Sequence, residues 1–164
     1  MPASPRRAAE PADRTPSGRL AERGLHEVIG YQLAQATITT DAVFTREVGT
    51  PHGLRPVEYT LLQLITENEG CSSVRLAKAL AVTKPNITMW VDRLVGRGLV
   101  ERRPSEADRR AQELHATAEG RALAGSATRA LRTAEGEVLA RLSAAERAML
   151  VELLHKVACA MPRA

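Results

Sequence analysis

Thr83, Lys84, Pro85, Asn86, Thr88, Met89 and Arg93 place two cations, an amide and two hydroxyls within one short stretch. Such groups recognise rather than react. An Asn amide can pair bidentately with an adenine edge, a Thr hydroxyl can reach bases or phosphates, and an apolar side chain can meet a thymine methyl. Lys and Arg can neutralise phosphates. Catalysis would need other features. The chain offers no glycine-rich phosphate loop, no HExxH-like metal motif and no nucleophile set beside a base. His26, His52, His115 and His155 lack metal-ligand spacing. The expectation is a binding protein, not an enzyme, with no metal and no cofactor.

More cations follow. Between residues 83 and 110, Lys84, Arg93, Arg97, Arg102, Arg103, Arg109 and Arg110 stand against Asp92, Glu101, Glu106 and Asp108. "LVERR" and "AQELHA" read as two short strands, with "PSEADR" between them. Arginines carried on such a hairpin can enter a narrow minor groove, where the potential is most negative.

The elements that must position these residues can be read outward from them. Ile87, Trp90, Val91, Leu94 and Val95 repeat at helical spacing, so a helix over about 84–97 buries one apolar stripe and exposes the polar one. Trp90 belongs to that core. Thr83 is the expected cap. A short helix capped by Ser72 or Ser73 and ending at Leu80 precedes it, which makes a helix-turn-helix pattern. Another helix starts near Pro56, where a missing N–H costs little, and stops before Gly70. A helix over about 20–48 should be broken by "GTPHGL". Thr117 can cap a helix reaching about Leu142. "SAAE", Ser143 to Glu146, is a capping box for a last helix with Met149, Leu150, Leu153, Leu154 and Val157 on one face.

The 164 residues carry a formal charge of +4 and are 44% hydrophobic but only 2% aromatic. The core must then be aliphatic and the fold mainly α-helical. Cys71 and Cys159 give no disulfide framework and are expected to be reduced, partly buried thiols. No apolar run approaches the roughly 20 residues that span a membrane, so the expectation is a soluble, cytoplasmic protein with no membrane partner. Residues 1–19 hold four prolines and few large apolar side chains and read as a flexible basic tail.

The stretch from "LRPVEYTLLQLI" through "SSVRLAKALAVTKPNITMWVDRLVGRGLVERR" to "DRR" and "LHATAEG" resembles the MarR family of winged helix-turn-helix regulators. The resemblance is strong over about Leu54 to Leu123. Arg55 departs from the Ser or Thr that often caps the second helix there. The family implies a mainly α fold with a two-stranded β wing and N- and C-terminal dimerisation helices. The expected division is a tail at 1–19, a dimerisation helix at 20–53, a DNA-binding lobe at 54–116 and dimerisation helices at 117–164. In the family's wing motif an Asp braces the Arg two residues later, which enters the minor groove; the matching residues are Asp108 and Arg110. The expected DNA-facing set is Ser73, Thr83, Lys84, Pro85, Asn86, Thr88, Met89, Arg93, Arg103, Asp108, Arg109 and Arg110. The resemblance also implies a homodimer on palindromic double-stranded DNA, and a small-molecule effector, an aromatic carboxylate or phenol, near His26, Tyr31, His52 and Tyr59. The implied function is a sequence-specific repressor released by that ligand. Two other readings stay open: a redox-sensing regulator using Cys71 or Cys159, and a non-specific architectural DNA-binding protein.

Overall fold

A computed structural model describes residues 14–105 and 112–160. The chain falls into two compact units, residues 1–41 and 42–164.

In the first unit, residues 21–28 form turns rather than the expected helix start, and Arg14 and Ala21 make an isolated antiparallel bridge. The turn is closed on Glu22, whose carbonyl accepts from the amides of Leu25 and His26. Helix α1, Ile29–Phe44, starts only after it.

In the second unit, the expected break at "GTPHGL" is a change of helical register. Thr45–Gly49 form a π turn, in which the amide of Thr50 donates five residues back to the carbonyl of Thr45. A short α2, Thr50–His52, follows with Pro51 in its first turn, where no N–H is required. The helical run ends at Gly53, whose φ of 59° is left-handed and suits glycine.

Helix α3, Pro56–Glu67, buries Leu61, Leu62 and Ile65. Helix α4, Ser73–Ala79, is capped by Ser72, whose hydroxyl accepts from the Arg75 amide. A tight corner through Ala81 leads into α5, Lys84–Gly96, which buries Ile87, Val91 and Leu94. Trp90 packs against that core as expected. Strands β1, Val100–Pro104, and β2, Gln112–Ala116, pair antiparallel from Val100 opposite Ala116 to Pro104 opposite Gln112. Cys71 adds a bridge to Leu114 on the other side of β2.

Helix α6, Ala118–Val138, is capped by the Thr117 hydroxyl, which accepts from the Gly120 amide. It packs on α3 and on the Thr45–Gly49 turn, burying a seam of small residues, Gly120, Ala124, Ala127 and Ala134, with Leu131. Helix α7, Ala144–Cys159, begins with the expected capping box: the Ser143 hydroxyl serves the Glu146 amide, and the Glu146 carboxylate accepts from the Ser143 amide. No residue of α7 is buried. The architecture is mainly helical with one two-stranded wing.

Candidate nucleic-acid interface

Helix α5 separates its two faces cleanly. Ile87, Val91 and Leu94 are fully buried, so rotation about the helix axis would expose them and is opposed by the hydrophobic effect. This packing fixes the opposite face. Lys84, Pro85, Thr88, Met89, Asp92 and Arg93 line an open surface groove there, and Asn86 is exposed beside it. Met89 is a large apolar side chain left 43% exposed among polar ones. Thr83 is the N-cap residue by backbone position, but its hydroxyl makes no capping bond. The first-turn amides are therefore not consumed by that hydroxyl. Thr88 donates its hydroxyl to the Lys84 carbonyl at 3.0 Å, which leaves its oxygen free to accept. Ser73 is the first residue of α4 and is half-buried, while its neighbour Ser72 does the capping.

The cations that gave the region its positive excess are less free than the sequence suggested. Arg93 donates to the buried Glu58 carboxylate at 3.2 Å. Arg97 donates to the carbonyls of His52 and Gly53, at 2.7 and 3.1 Å. Arg102 donates to Asp92 at 2.6 Å, tying β1 to α5. Arg103 pairs with Glu101 on its own strand, and both side chains are exposed. Exposed pairs of this kind contribute little to stability, so Arg103 can exchange its carboxylate for a phosphate. Asp108, Arg109 and Arg110 lie outside the described residues.

The root of the wing is braced from two sides. His115 Nδ1 lies 3.0 Å from the Glu69 carboxylate, which also accepts from Arg121 of α6 at 3.1 Å. His115 is thus structural, as its strand position implied. On the neighbouring edge, the Gly70 amide donates to the Leu114 carbonyl, and the Leu114 amide donates to the Cys71 carbonyl, each at 3.0 Å.

The four candidate effector residues divide between the two units. In the first, Tyr31 donates its hydroxyl to Glu22 at 2.5 Å, and His26 Nδ1 lies 3.9 Å from the same carboxylate. That hydrogen bond holds the Tyr31 phenol above its ordinary range, with desolvation and the Glu22 charge adding to it. In the second unit, His52 sits half-buried at the Gly53 corner, and Tyr59 shares a 2.8 Å hydrogen bond with Thr128 of α6. The Tyr59 ring also packs at a tilt against Phe44, 5.9 Å between centroids.

The thiols differ from the expected partly buried pair. Cys71 is buried, and burial pushes its thiol up despite the nearby Arg75. Cys159 is exposed, because α7 buries nothing, with its sulfur 3.6 Å from His155 Nε2. Among the described residues there is no metal-binding cluster of three or more His, Cys, Asp or Glu, and no helix is long and apolar enough to cross a membrane.

Sequence reasoning missed Glu58. It breaks the apolar pattern of α3, yet it is only 5% exposed. Its place three residues after Arg55 is the acidic position of a capping box, and its carboxylate accepts from the Arg55 amide at 3.0 Å. Arg55 cannot cap as Ser or Thr would, so Glu58 supplies the reciprocal half of that motif alone.

The model of the MarR family matches residues 54–111, from just before α3 to the residue before β2. A putative transcriptional regulatory protein for the hcr operon of Thauera aromatica is 34% identical over 129 residues, covering 79% of this chain and 78% of that protein. The transcriptional repressor CouR, solved bound to a 23-mer DNA duplex, superposes with a TM-score of 0.77 at 31% identity, over 85% of this chain and 98% of that one. The Mycobacterium tuberculosis MarR family protein Rv2887, solved in complex with p-aminosalicylic acid, gives a TM-score of 0.63 at 29% identity, over 79% and 98%.

Proposed function

This chain belongs to the MarR family of transcriptional regulators, and we propose that it is a homodimeric repressor whose two α5 helices enter successive major grooves of a palindromic operator. The observation that carries the reading is the exposed polar face of α5, locked outward by the buried Ile87, Val91 and Leu94 on the opposite face. Helix-turn-helix proteins present this end of their second helix to base edges. Lys84, Asn86, Thr88 and Met89 are the base and phosphate readers. Ser73, Thr83 and Pro85 support the approach from the helix ends, and Arg93 and Arg103 meet the backbone. By the family resemblance Arg110 is assigned to the minor groove with Asp108 as its brace, and Arg109 is a further DNA contact.

The dimer is made by the helices before residue 54 and after Thr117. The exposed apolar side chains of α7 support this, because they have no cover among the described residues. The effector is a small aromatic carboxylate or phenol, and p-aminosalicylic acid, bound by a relative, belongs to that class. His26 and Tyr31 in the first unit, and separately His52 and Tyr59 in the second, are its candidate contacts. A ligand that binds better to another lobe spacing lowers DNA affinity by its differential affinity for the two states.

Selection of bound duplexes from a random library by the full chain tests the reading. It should yield a two-fold symmetric site, and titration with p-aminosalicylic or salicylic acid should release the selected duplex. Enrichment of no sequence would overturn the repressor reading in favour of an architectural DNA protein. Release by peroxide and by no aromatic acid would favour the redox reading.

A further inference from the structure

The buried Glu58 is the charged group that the proposed function leaves unexplained. It lies in the first turn of α3 and is 5% exposed, although α3 otherwise buries aliphatic side chains. Its two carboxylate oxygens serve two elements. Oε2 accepts from the Arg55 amide at 3.0 Å, which fixes the carboxylate to the backbone at the start of α3. Oε1 accepts from Nη1 of Arg93 on α5 at 3.2 Å. The Arg93 side chain is 44% exposed and lines the same open groove as Lys84, Thr88 and Met89. Arg93 is therefore held at one nitrogen from inside, while its side chain still reaches the surface that faces outward.

We infer that Glu58 is a positioning residue for DNA recognition: it pins the Arg93 guanidinium in one orientation, so that Arg93 takes a phosphate in only one register of α5 on the duplex. This rests on the proposed role of α5 as the reading helix. Phosphate contacts carry no sequence information themselves but set the register in which base contacts are made. A long, free Arg side chain could accept phosphates at many offsets, and each offset would help random DNA as much as the operator. A guanidinium offers five N–H donors in a fixed fork, so one can stay on Glu58 while others bind phosphate. The anchored carboxylate also offsets part of the Arg93 charge, which holds down non-specific attraction. Arg97, the C-cap residue of α5, shows the contrast: it gives its donors to the backbone carbonyls of His52 and Gly53 and ties the end of α5 to that corner.

The test uses the full chain, the best duplex it selects from a random library, and an unrelated duplex of equal length. Glu58→Gln keeps an oxygen for the Arg55 amide and removes the charge that pins Arg93. The ratio of selected-duplex to random-duplex affinity should fall about fivefold or more, a part of one bidentate contact's worth. Random-duplex binding should tighten at low salt, and its log–log salt slope should steepen by about one. A merely structural role would lower the melting temperature and leave ratio and slope unchanged, which would overturn the inference. In an Arg93→Gln background, Glu58→Gln should no longer alter the ratio; an undiminished effect there would show that Glu58 does not act through Arg93. Should Glu58→Gln fold poorly, Arg93→Lys keeps the charge and removes the fork. It should lower the ratio while leaving the slope in place, and an unchanged ratio would again overturn the inference. If wild type selects no sequence at all, it is the reading of α5 that fails.

Discussion

Helices α5 and α7 both show an apolar stripe in the sequence, and the protein treats them in opposite ways. On α5, Ile87, Val91 and Leu94 are fully buried among α3, α4 and β1, with Trp90 and Val95 half-buried beside them. The stripe of α7 is left out, with Leu150 and Leu154, its most sheltered large residues, still about 40% exposed. One helix is held by its own chain. The other has no such cover among the described residues. Large apolar patches on a monomer mark interaction surfaces, and this is the ground on which the proposed function gives reading to α5 and assembly to α7.

The sharpest way to break this contrast is to charge the α7 stripe. Leu153→Asp combined with Leu154→Asp should convert the dimer to monomer in sedimentation, since an unpaired carboxylate buried at an interface costs several kcal/mol, roughly. The wing and α5 should keep their amide-exchange protection. If the lobe unfolds along with the dimer, the two regions are not independent and the contrast fails.

The next effect falls on the lobe itself. Gly120 lies where α6 crosses the start of β1, and a Cβ there would stand 2.0 Å from the Leu99 carbonyl oxygen, a backbone atom that cannot swing aside. That carbonyl already accepts from the Thr117 amide. Gly120→Ala should therefore destabilise by about 3 kcal/mol or more, at the upper end of overpacking costs. A urea midpoint like wild type's would show that the α6–β1 joint yields, and that the lobe is less rigid than its burial implies.

What the sequence showed and what it hid follow the same division between local and distant causes. The α5 stripe, the Ser143–Glu146 box, the Thr117 cap and the paired strands were legible because each is a pattern of neighbours. The run through Gly49, Thr50 and Pro51 was not, because a π turn changes the hydrogen-bond register without any marker residue beyond those that also break helices. The turn at 21–28 was hidden by apolar residues at helical spacing, while Glu22 closed the backbone back on itself. The small-residue seam of α6 looked like plain alanine-rich helix until Leu99 was seen against Gly120. The interface shows the same split. The residue types on the outer face of α5 were readable, but the Glu58–Arg93 pair joins side chains 35 positions apart, and no periodicity announces it.

Smaller effects belong to the reading face. Asn86→Ala should reduce discrimination between the selected and random duplexes by about 1–3 kcal/mol, with little change on random DNA. Lys84→Ala should weaken both and lower the salt slope by about one. Arg110→Ala should weaken both while leaving the dimer intact. Equal losses on both duplexes for Asn86→Ala would demote it to a backbone contact, and the polar face of α5 would then hold the protein on DNA without reading it.

The smallest expected effect returns to α7 and uses pH. Glu146 is solvent-exposed, and its carboxyl lies below the ordinary value of 4.5, first because it accepts from the Ser143 backbone amide and then through the Ser143 side chain. A carboxylate with a depressed folded-state pKa favours the folded form above its unfolded value and loses that contribution as pH falls through the folded one. The start of α7 should therefore loosen as pH drops below about 4.5, while α5, whose cap makes no such side-chain bond, has no matching transition at its own start. Glu146→Gln should remove the acid-side dependence and bring the α7 start at neutral pH close to the low-pH wild type. Amide exchange of the first α7 turn against that of α5, followed from pH 6 to pH 3, would read the difference. Parallel loosening of both helix starts in wild type would trace the change to the lobe as a whole and erase this local distinction between the helix that reads and the helix that assembles.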